Sequence, residues 1–304
     1  MTHRILCIGE AMLELAAAGE LWRLGIAGDT LNTAWYLRGL LGAEWGVGYL
    51  SRIGMGAFSQ RMLDFLTTSG IDARFVSRDP AREIGLYAIT LQDGERSFSY
   101  WRDNSAAKRL ADDPAALARA LDGAGIAYLS GITLAILPPE GRASLLDALE
   151  TARAAGTRIV FDPNLRPRLW QDAATMRATV QSAAASCDLI LPSLDDETTH
   201  FGDTDAQATI ARYLAAGARQ VVVKAGGGPV TFGGADGAGI VTGLPRVQPV
   251  DTTAAGDSFN AGFLAARLSG AAIPDAIRRA HELSLAVIAH PGALVPQAIP
   301  KAAR

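Results

Sequence analysis

Short apolar runs alternate with helical patterns through the second half of the chain, and this alternation restricts the fold more than any other feature. The apolar runs lie at 126–129, 159–162, 189–191 and 221–224. Helical spacing of apolar residues occurs at 140–156, 171–186, 204–216, 257–269 and 274–290. Strands that are apolar on both faces and joined by helices form parallel sheets. The sequence therefore predicts an α/β protein, with a mostly parallel sheet flanked by helices on both faces.

A segment of different character interrupts this pattern in the first half. Residues 85–91 and 96–101 are rich in β-forming side chains and flank the sequence Gln-Asp-Gly-Glu. Asp-Gly between such runs is a strong hairpin signal. We expect a small β lid from about 11–27 and 84–102, lying over the sheet edge where open α/β sheets bind ligands. Because no linker or repeat is visible, residues 1–304 are predicted to form one domain.

Composition narrows the classes of function. The 304 residues include 28 basic and 31 acidic side chains, for a net charge of −3, so nothing favours nucleic acid or an anionic membrane as partner. No apolar stretch approaches the roughly 18 residues that a membrane span needs. Cys7 and Cys187 adjoin apolar runs and are predicted to be reduced core thiols. We therefore expect a cytoplasmic protein that acts on small molecules.

Several nucleotide-binding and metal-binding motifs are absent from the sequence. It contains no Gly-x-x-x-x-Gly-Lys-Ser/Thr phosphate loop, and no Gly-x-Gly-x-x-Gly follows the first apolar run. The second absence argues against an NAD-dependent dehydrogenase. The four histidines do not show the spacing of metal ligands.

The most informative segment, residues 251–263, reads Asp-Thr-Thr-Ala-Ala-Gly-Asp-Ser-Phe-Asn-Ala-Gly-Phe. Small residues run directly into a predicted helix, and such a helix start offers free N–H groups to an anion. Asp257 falls in the first turn, where a carboxylate serves either as a helix cap or as a proton acceptor. An anion site beside a carboxylate is what phosphoryl transfer to a hydroxyl requires. The residues alone leave both interpretations open.

The segment 251–257 resembles the C-terminal signature of the ribokinase-like (PfkB) carbohydrate kinases. Within that family the chain is most similar to the 2-keto-3-deoxygluconate kinases. Further matching segments lie at 8–10, 28–33, 85–87, 94–96, 100–102, 128–131, 166–170 and 194–197. The resemblance implies a ribokinase-like fold and transfer of the γ-phosphoryl group of Mg-ATP to the substrate's 6-hydroxyl. The implied product is 2-keto-3-deoxy-6-phosphogluconate.

The resemblance implies roles for those residues that match the family. Asp257 corresponds to the catalytic base, and Ala254, Ala255 and Gly256, with the Asp257 amide, to the anion hole. The residues that correspond to substrate contacts are Gly28, Asp29, Asn32, Tyr87, Tyr100, Arg102, Arg166 and Asp257. Those that correspond to cofactor contacts are Asn164, Ser193, Lys224, Gly226 and Gly228, with Ala254, Ala255 and Gly256.

The cofactors implied are ATP and Mg²⁺, with a monovalent cation as a further candidate. The acidic start of a helix after Pro192 supplies Asp196 and Glu197, and either side chain could hold Mg²⁺ through water. An acidic helix N-terminus is equally well explained by the helix dipole alone. Which of the two residues acts on the metal is left open.

Two arginines distinguish between substrate classes. Arg102 ends a predicted lid strand and Arg166 follows a core strand, so both are expected to face the crevice. Arginine binds carboxylates bidentately, and a keto acid carries a carboxylate whereas ribose and fructose do not. The arginines therefore favour an acid sugar as substrate.

Two other functions remain open. A kinase of the same family could act on a neutral sugar or a nucleoside, and a non-catalytic sugar-binding protein could share the fold. The presence of Asp257 and its small-residue segment argues against the second. An exposed edge of the lid would favour a homo-oligomer.

Overall fold

Within residues 3–92 and 95–300, which a computed structural model describes, the chain forms thirteen strands and ten α-helices. The strands are β1 His3–Ile8, β2 Met12–Ala18, β3 Leu21–Ala27, β4 Trp45–Ile53, β5 Val76–Arg78, β6 Leu86–Gln92, β7 Glu95–Trp101, β8 Ile126–Ser130, β9 Arg158–Asp162, β10 Leu189–Ile190, β11 Gln220–Val223, β12 Val230–Gly234 and β13 Gly239–Val241. The helices are α1 Asp29–Leu40, α2 Ala57–Thr68, α3 Pro114–Leu121, α4 Gly131–Ile136, α5 Pro139–Ala154, α6 Ala173–Ala184, α7 Leu194–Phe201, α8 Ala206–Ala215, α9 Ala255–Leu268 and α10 Ile273–Ile288.

Nine strands form the main sheet, in the order β13-β12-β11-β10-β9-β8-β1-β4-β5. The seven strands from β11 to β5 pair in parallel, whereas β12 and β13 pair antiparallel at one edge. A short turn joins β11 to β12, and a parallel connection would need a dozen or more residues. The predicted fold class, an α/β protein with a mostly parallel sheet and a small additional β element, is confirmed.

Each face of the main sheet packs against its own layer of helices. Along β1, Ile5 and Cys7 enter one core and Leu6 and Ile8 enter the other, because successive side chains of a strand point to opposite faces. The first core contains residues of α1, α2, α9 and α10, and the second contains residues of α3 to α6 and α8. This double burial explains why these strands are apolar on both faces.

Both cysteines lie in these cores, as predicted. Cys7 and Cys187 are buried and free, and burial raises the pKa of each thiol. Among the described residues, no helix has the length and apolar character needed to cross a membrane.

The second sheet has four strands in the order β3-β2-β6-β7. Strand β2 pairs antiparallel with β3 and parallel with β6, and β6 pairs antiparallel with β7. The predicted turn residues Asp93 and Gly94 lie outside the described residues. Where the sheet joins the body, Arg102 pairs with Glu10 in a buried salt bridge, which fixes the end of β7 to the segment between β1 and β2.

The carboxyl ends of the parallel strands bring distant polar residues to one edge. Glu10 follows β1, Asp162 ends β9, and Lys224 follows β11. Helices α1 and α9 also begin near this edge, since Asn32 of α1 bonds to Asp257 of α9. Open α/β sheets bind their ligands at such an edge, and the predicted site residues concentrate there.

Candidate active site

Helix α9 begins without a side-chain cap. Its N-cap, Ala254, adopts a left-handed conformation with φ of 60°, and the Ala255 amide donates to the Thr252 carbonyl oxygen at 3.2 Å. In the described part of the chain the amides of Gly256 and Asp257 have no acceptor, as expected for a first helical turn. These two N–H groups and the helix dipole can therefore receive an anion.

Asp257 is held in place by helix α1. Asn32 Nδ2 donates to Asp257 Oδ2 at 2.8 Å, and Thr33 Oγ1 lies 3.3 Å from the Asp257 carbonyl oxygen. Burial and, second, the nearby charge of Asp29 raise the pKa of Asp257 to about 8, against the opposing effect of the Asn32 hydrogen bond. A raised pKa makes the ionised Asp257 a stronger proton acceptor than an ordinary aspartate, and the ionised fraction grows as pH rises through this pKa.

Asp29, at the start of α1, is fixed from the opposite side by Asn164. Asn164 Nδ2 donates to Asp29 Oδ2 at 2.8 Å. The Asn164 backbone is left-handed, with φ of 35°, a conformation uncommon outside glycine but tolerated by asparagine. Its amide donates to Asp162 Oδ1 at 3.1 Å. Asn164 thus contacts the predicted substrate loop, and its predicted contact with a nucleotide stays a prediction.

Gly28, which precedes α1, is required by a close approach of two backbones. A Cβ at this position would lie 2.4 Å from the Glu10 carbonyl oxygen, closer than any real Cβ contact. Gly28 is therefore needed to bring the start of α1 against the segment that follows β1.

Two tyrosines project from paired positions of the second sheet. Tyr87 and Tyr100 are register partners, and their ring centroids lie 5.9 Å apart. Tyr87 is buried and its hydroxyl donates to Glu14, whereas Tyr100 is exposed. The pair shares one face of the sheet, with the Tyr100 ring open to a ligand.

The two predicted arginines differ sharply in their surroundings. Arg102 is buried and paired with the buried carboxylate of Glu10, so its charge is already balanced. Arg166 has a half-exposed side chain, 3.8 Å from the carboxylate of Asp196. Arg166 Nη1 also donates to the Leu165 carbonyl oxygen at 2.6 Å. Arg166 is therefore the more exposed and more weakly paired of the two arginines, whereas Arg102 would have to share the buried carboxylate of Glu10.

The two acidic candidates on α7, Asp196 and Glu197, differ in exposure and in hydrogen-bond partners. Glu197 is fully buried, and its carboxylate accepts from Arg212 Nη2 at 2.6 Å and from the Tyr213 hydroxyl at 2.9 Å. Asp196 is partly exposed, and burial raises its pKa, with Arg166 acting in the opposite direction. Because both Glu197 oxygens are occupied, only Asp196 remains a candidate for metal-bound water.

The predicted nucleotide segment lies beside α7. Ser193 precedes α7 and forms a parallel bridge with Lys224. The backbone of Gly226 is left-handed, and the space around its α-carbon is open. The Gly228 amide donates to the Ala225 carbonyl oxygen at 2.8 Å and so closes a tight turn. Apart from its two chain neighbours, no described residue has an atom within 4 Å of a Cβ position at Gly226.

No motif in the sequence indicated a role for Asp162 or Asn260, which the structure places beside Lys224. Lys224 Nζ donates to Asp162 Oδ2 at 3.2 Å and to Asn260 Oδ1 at 3.0 Å, and all three side chains are buried. The available signal was an asparagine among the apolar residues Phe259, Ala261 and Phe263 of α9, and an aspartate at the end of an apolar strand.

The residues at the start of α9 fit a phosphate group. A Cβ at Gly256 would meet only Lys224 Nζ, at 3.7 Å, so the space in front of this turn is lined by an ammonium and two amides. Among the described residues no group of three or more His, Cys, Asp or Glu could hold a metal ion.

Comparisons with known proteins identify the family of the chain. The model of the pfkB family carbohydrate kinase matches residues 2–300. The 2-dehydro-3-deoxygluconokinase of Escherichia coli (strain K12) is 40% identical over 305 residues, which cover 98% of this chain and 98% of the relative. The PfkB protein from Polaromonas sp. JS666 is 29% identical, with a TM-score of 0.82, and the match covers 96% of this chain and 98% of that chain.

A third similar protein has been solved with ligands. Fructokinase from Vibrio cholerae O395, with fructose, ADP and calcium ion bound, is 25% identical with a TM-score of 0.82 and covers 99% of this chain and 97% of its own. The fold is thus that of the ribokinase-like kinases, which transfer a phosphoryl group to an alcohol. The chain belongs to the pfkB family of carbohydrate kinases, as its sequence resemblance implied.

Substitution Gly256→Val tests the anion site. Among the described residues beyond the neighbouring helix backbone, a Cβ at this position would meet only Lys224 Nζ, at 3.7 Å, and removing a helical glycine favours the folded state. We expect an unfolding free energy equal to or above that of the wild type. The methyl groups of the new side chain occupy the space for phosphate, so kcat/KM should fall about 10²-fold, the effect of losing one oxyanion donor. Denaturant unfolding and steady-state kinetics measure both. Wild-type turnover in this variant would contradict the assignment.

Proposed function

We propose that this protein phosphorylates 2-keto-3-deoxygluconate at its 6-hydroxyl, with ATP as the donor, to give 2-keto-3-deoxy-6-phosphogluconate. The observation that carries the proposal is the placement of Asp257 in the uncapped first turn of α9, beside Lys224. The 40% identity to 2-dehydro-3-deoxygluconokinase of Escherichia coli, over nearly all of both chains, supports the substrate.

Asp257 acts as the general base. With its pKa near 8, the carboxylate can take the proton of the attacking hydroxyl and hold it without leaving its hydrogen bond from Asn32. Positioned bases of this kind contribute about 10²–10⁴ to the rate. The amides of Gly256 and Asp257 stabilise charge on the transferred group.

The nucleotide lies along the edge formed by Ser193, Lys224, Gly226 and Gly228. ATP with Mg²⁺ supplies the phosphoryl group and neutralises part of its charge. Asp196 would orient water around the metal, because its carboxylate is partly exposed whereas the Glu197 carboxylate is bonded to Arg212. A need for a monovalent cation rests on the family resemblance.

The sugar acid lies between α1 and the second sheet. Asp29 and Asn32 present polar groups to its hydroxyls, and Tyr100 offers an exposed ring. Arg166 binds the carboxylate through a charge-assisted hydrogen bond. The second sheet then serves as a lid that excludes water from the reacting phosphate.

We further propose a cytoplasmic homo-oligomer that pairs through the lid. Leu21, Trp22, Phe98 and Trp101 are exposed on the second sheet, and β3 and β7 form its edges. Exposed edges and large apolar side chains favour pairing with a second copy. The free, buried thiols suit a reducing compartment.

The deciding experiment is an ADP-release assay of the purified protein with 2-keto-3-deoxygluconate, ribose and fructose. We expect kcat/KM for the keto acid to exceed that for either neutral sugar by at least tenfold. A preference for fructose, the ligand of the Vibrio cholerae relative, would instead establish a neutral-sugar kinase. Absence of ADP release with every sugar would contradict a catalytic role.

Substitution Arg166→Ala should raise KM for the keto acid about ten- to a hundredfold. A charge-assisted hydrogen bond contributes roughly 1.5–3 kcal/mol, and about 1.4 kcal/mol corresponds to tenfold in affinity. Any activity with fructose should hardly change, because fructose carries no carboxylate. Arg168→Ala, which alters a nearby exposed arginine, is the matched control. A KM within about twofold of wild type would remove Arg166 from carboxylate binding.

Substitution Asp257→Asn should separate catalysis from stability. We expect kcat to fall at least about 10²-fold. The folded pKa of about 8 lies above the ordinary 3.8. The stability that Asp257 contributes is therefore complete below pH 3.8 and is lost as pH rises through 8.

The asparagine variant should consequently gain in unfolding free energy relative to wild type as pH rises. Near pH 4 the two proteins should be alike. At pH 9 the variant should be more stable by at least about 1.4 kcal/mol, the equivalent of one pKa unit. Denaturant unfolding at both pH values measures this, with the exposed Asp64→Asn as control. Equal stability at pH 9 would show that the folded Asp257 carries no raised pKa.

A further inference from the structure

Lys224 has one hydrogen-bond donor left over. An ammonium carries three N–H donors, and two of them reach Asp162 Oδ2 at 3.2 Å and Asn260 Oδ1 at 3.0 Å. The third has no acceptor among the residues that the structure describes. Because Nζ lies 3.7 Å from the Cβ position of Gly256, this donor is within reach of an anion bound at the first turn of α9.

Asn260 is held rigidly in the orientation that serves Lys224. Its Nδ2 donates to Asp162 Oδ2 at 2.6 Å and to the Tyr128 hydroxyl oxygen at 3.0 Å. With both amide hydrogens engaged, Oδ1 is the group presented to the ammonium. Asn260 follows Gly256 by four residues, so both lie on the same face of α9. One helix therefore carries both the anion site and an acceptor of the lysine.

The charges of the three side chains explain why the second acceptor is an amide. Burying a lone ammonium is costly, and the Asp162 carboxylate balances the charge of Lys224. A second carboxylate at position 260 would leave a net negative charge behind the anion site and repel phosphate. The neutral Asn260 oxygen orients the ammonium without adding charge.

We propose that Asp162 and Asn260 are positioning residues that direct the third N–H of Lys224 toward the phosphoryl group bound at the start of α9. This rests on the proposed function, and it gives the buried network a part in phosphoryl transfer. Lysine at such a position stabilises the charge on the transferred group.

The chain has three lysines, Lys108, Lys224 and Lys301, so ¹⁵N-lysine NMR can observe the ammonium directly. Lys224→Met identifies the Lys224 signal by its loss. Addition of inorganic triphosphate, without sugar, should shift that signal and leave the Lys108 signal in place. In Asn260→Ala the Lys224 signal should lose this response, whereas the matched control Asn104→Ala, at an exposed asparagine, should keep it. If Asn260→Ala does not fold, Asn260→Ser takes its place.

Kinetics supply the second measurement. Asn260→Ala should lower kcat at least tenfold while KM for the sugar stays within about twofold, since the sugar contacts are untouched. Asn104→Ala should keep kcat within about threefold. A Lys224 signal that ignores saturating triphosphate in the wild type, or responds equally in Asn260→Ala, would overturn the proposal. Neither outcome depends on the sugar, so failure of the proposed substrate in the ADP-release assay remains a separate result.

Discussion

The hydrogen bond from Asn32 to Asp257 joins the first turns of two helices whose residues lie 225 positions apart, and the geometry of the site depends on this junction. Helix N-termini carry partial positive charge, so the two converging starts create a region where Asp29 and Asp257 can lie close together. Burial and the nearby charge of Asp29 still disfavour the ionised form of Asp257, which is why its pKa is raised. The same feature suits the residue to proton transfer.

Strain is concentrated where the site needs it. The two non-glycine residues with left-handed backbone in the described chain are Asn164 and Ala254, one beside Asp29 and the other at the start of α9. Such conformations cost on the order of 1–3 kcal/mol each and persist only where the surroundings fix them. Here the surroundings are two packed cores, one on each face of the sheet.

The sequence was most informative where burial follows a simple rule. Strands β8, β9 and β11 are apolar because both faces are covered, and their positions were predictable to within a few residues. The pairing of distant residues was not predictable, because no local pattern records it. Arg102 meets Glu10 across 92 residues and Asn260 meets Asp162 across 98. Likewise, Asp196 and Glu197 are adjacent in the chain, and only the packing of α7 against Arg212 distinguishes them.

The balance of charges at the sheet edge bears on the substrate. Asp29, Asp162 and Asp257 place three carboxyl groups where an anionic nucleotide and an anionic sugar would meet. Lys224 balances Asp162, and protonation relieves Asp257 below its pKa of about 8. Arg102 is balanced by Glu10. Arg166 is half-exposed, and its ion pair with the partly exposed Asp196 is long, at 3.8 Å. Of the two predicted arginines, Arg166 is therefore the one more available to a substrate carboxylate. We therefore expect binding of an acid sugar to depend on Arg166 more than on Arg102, because the two arginines differ in exposure and pairing.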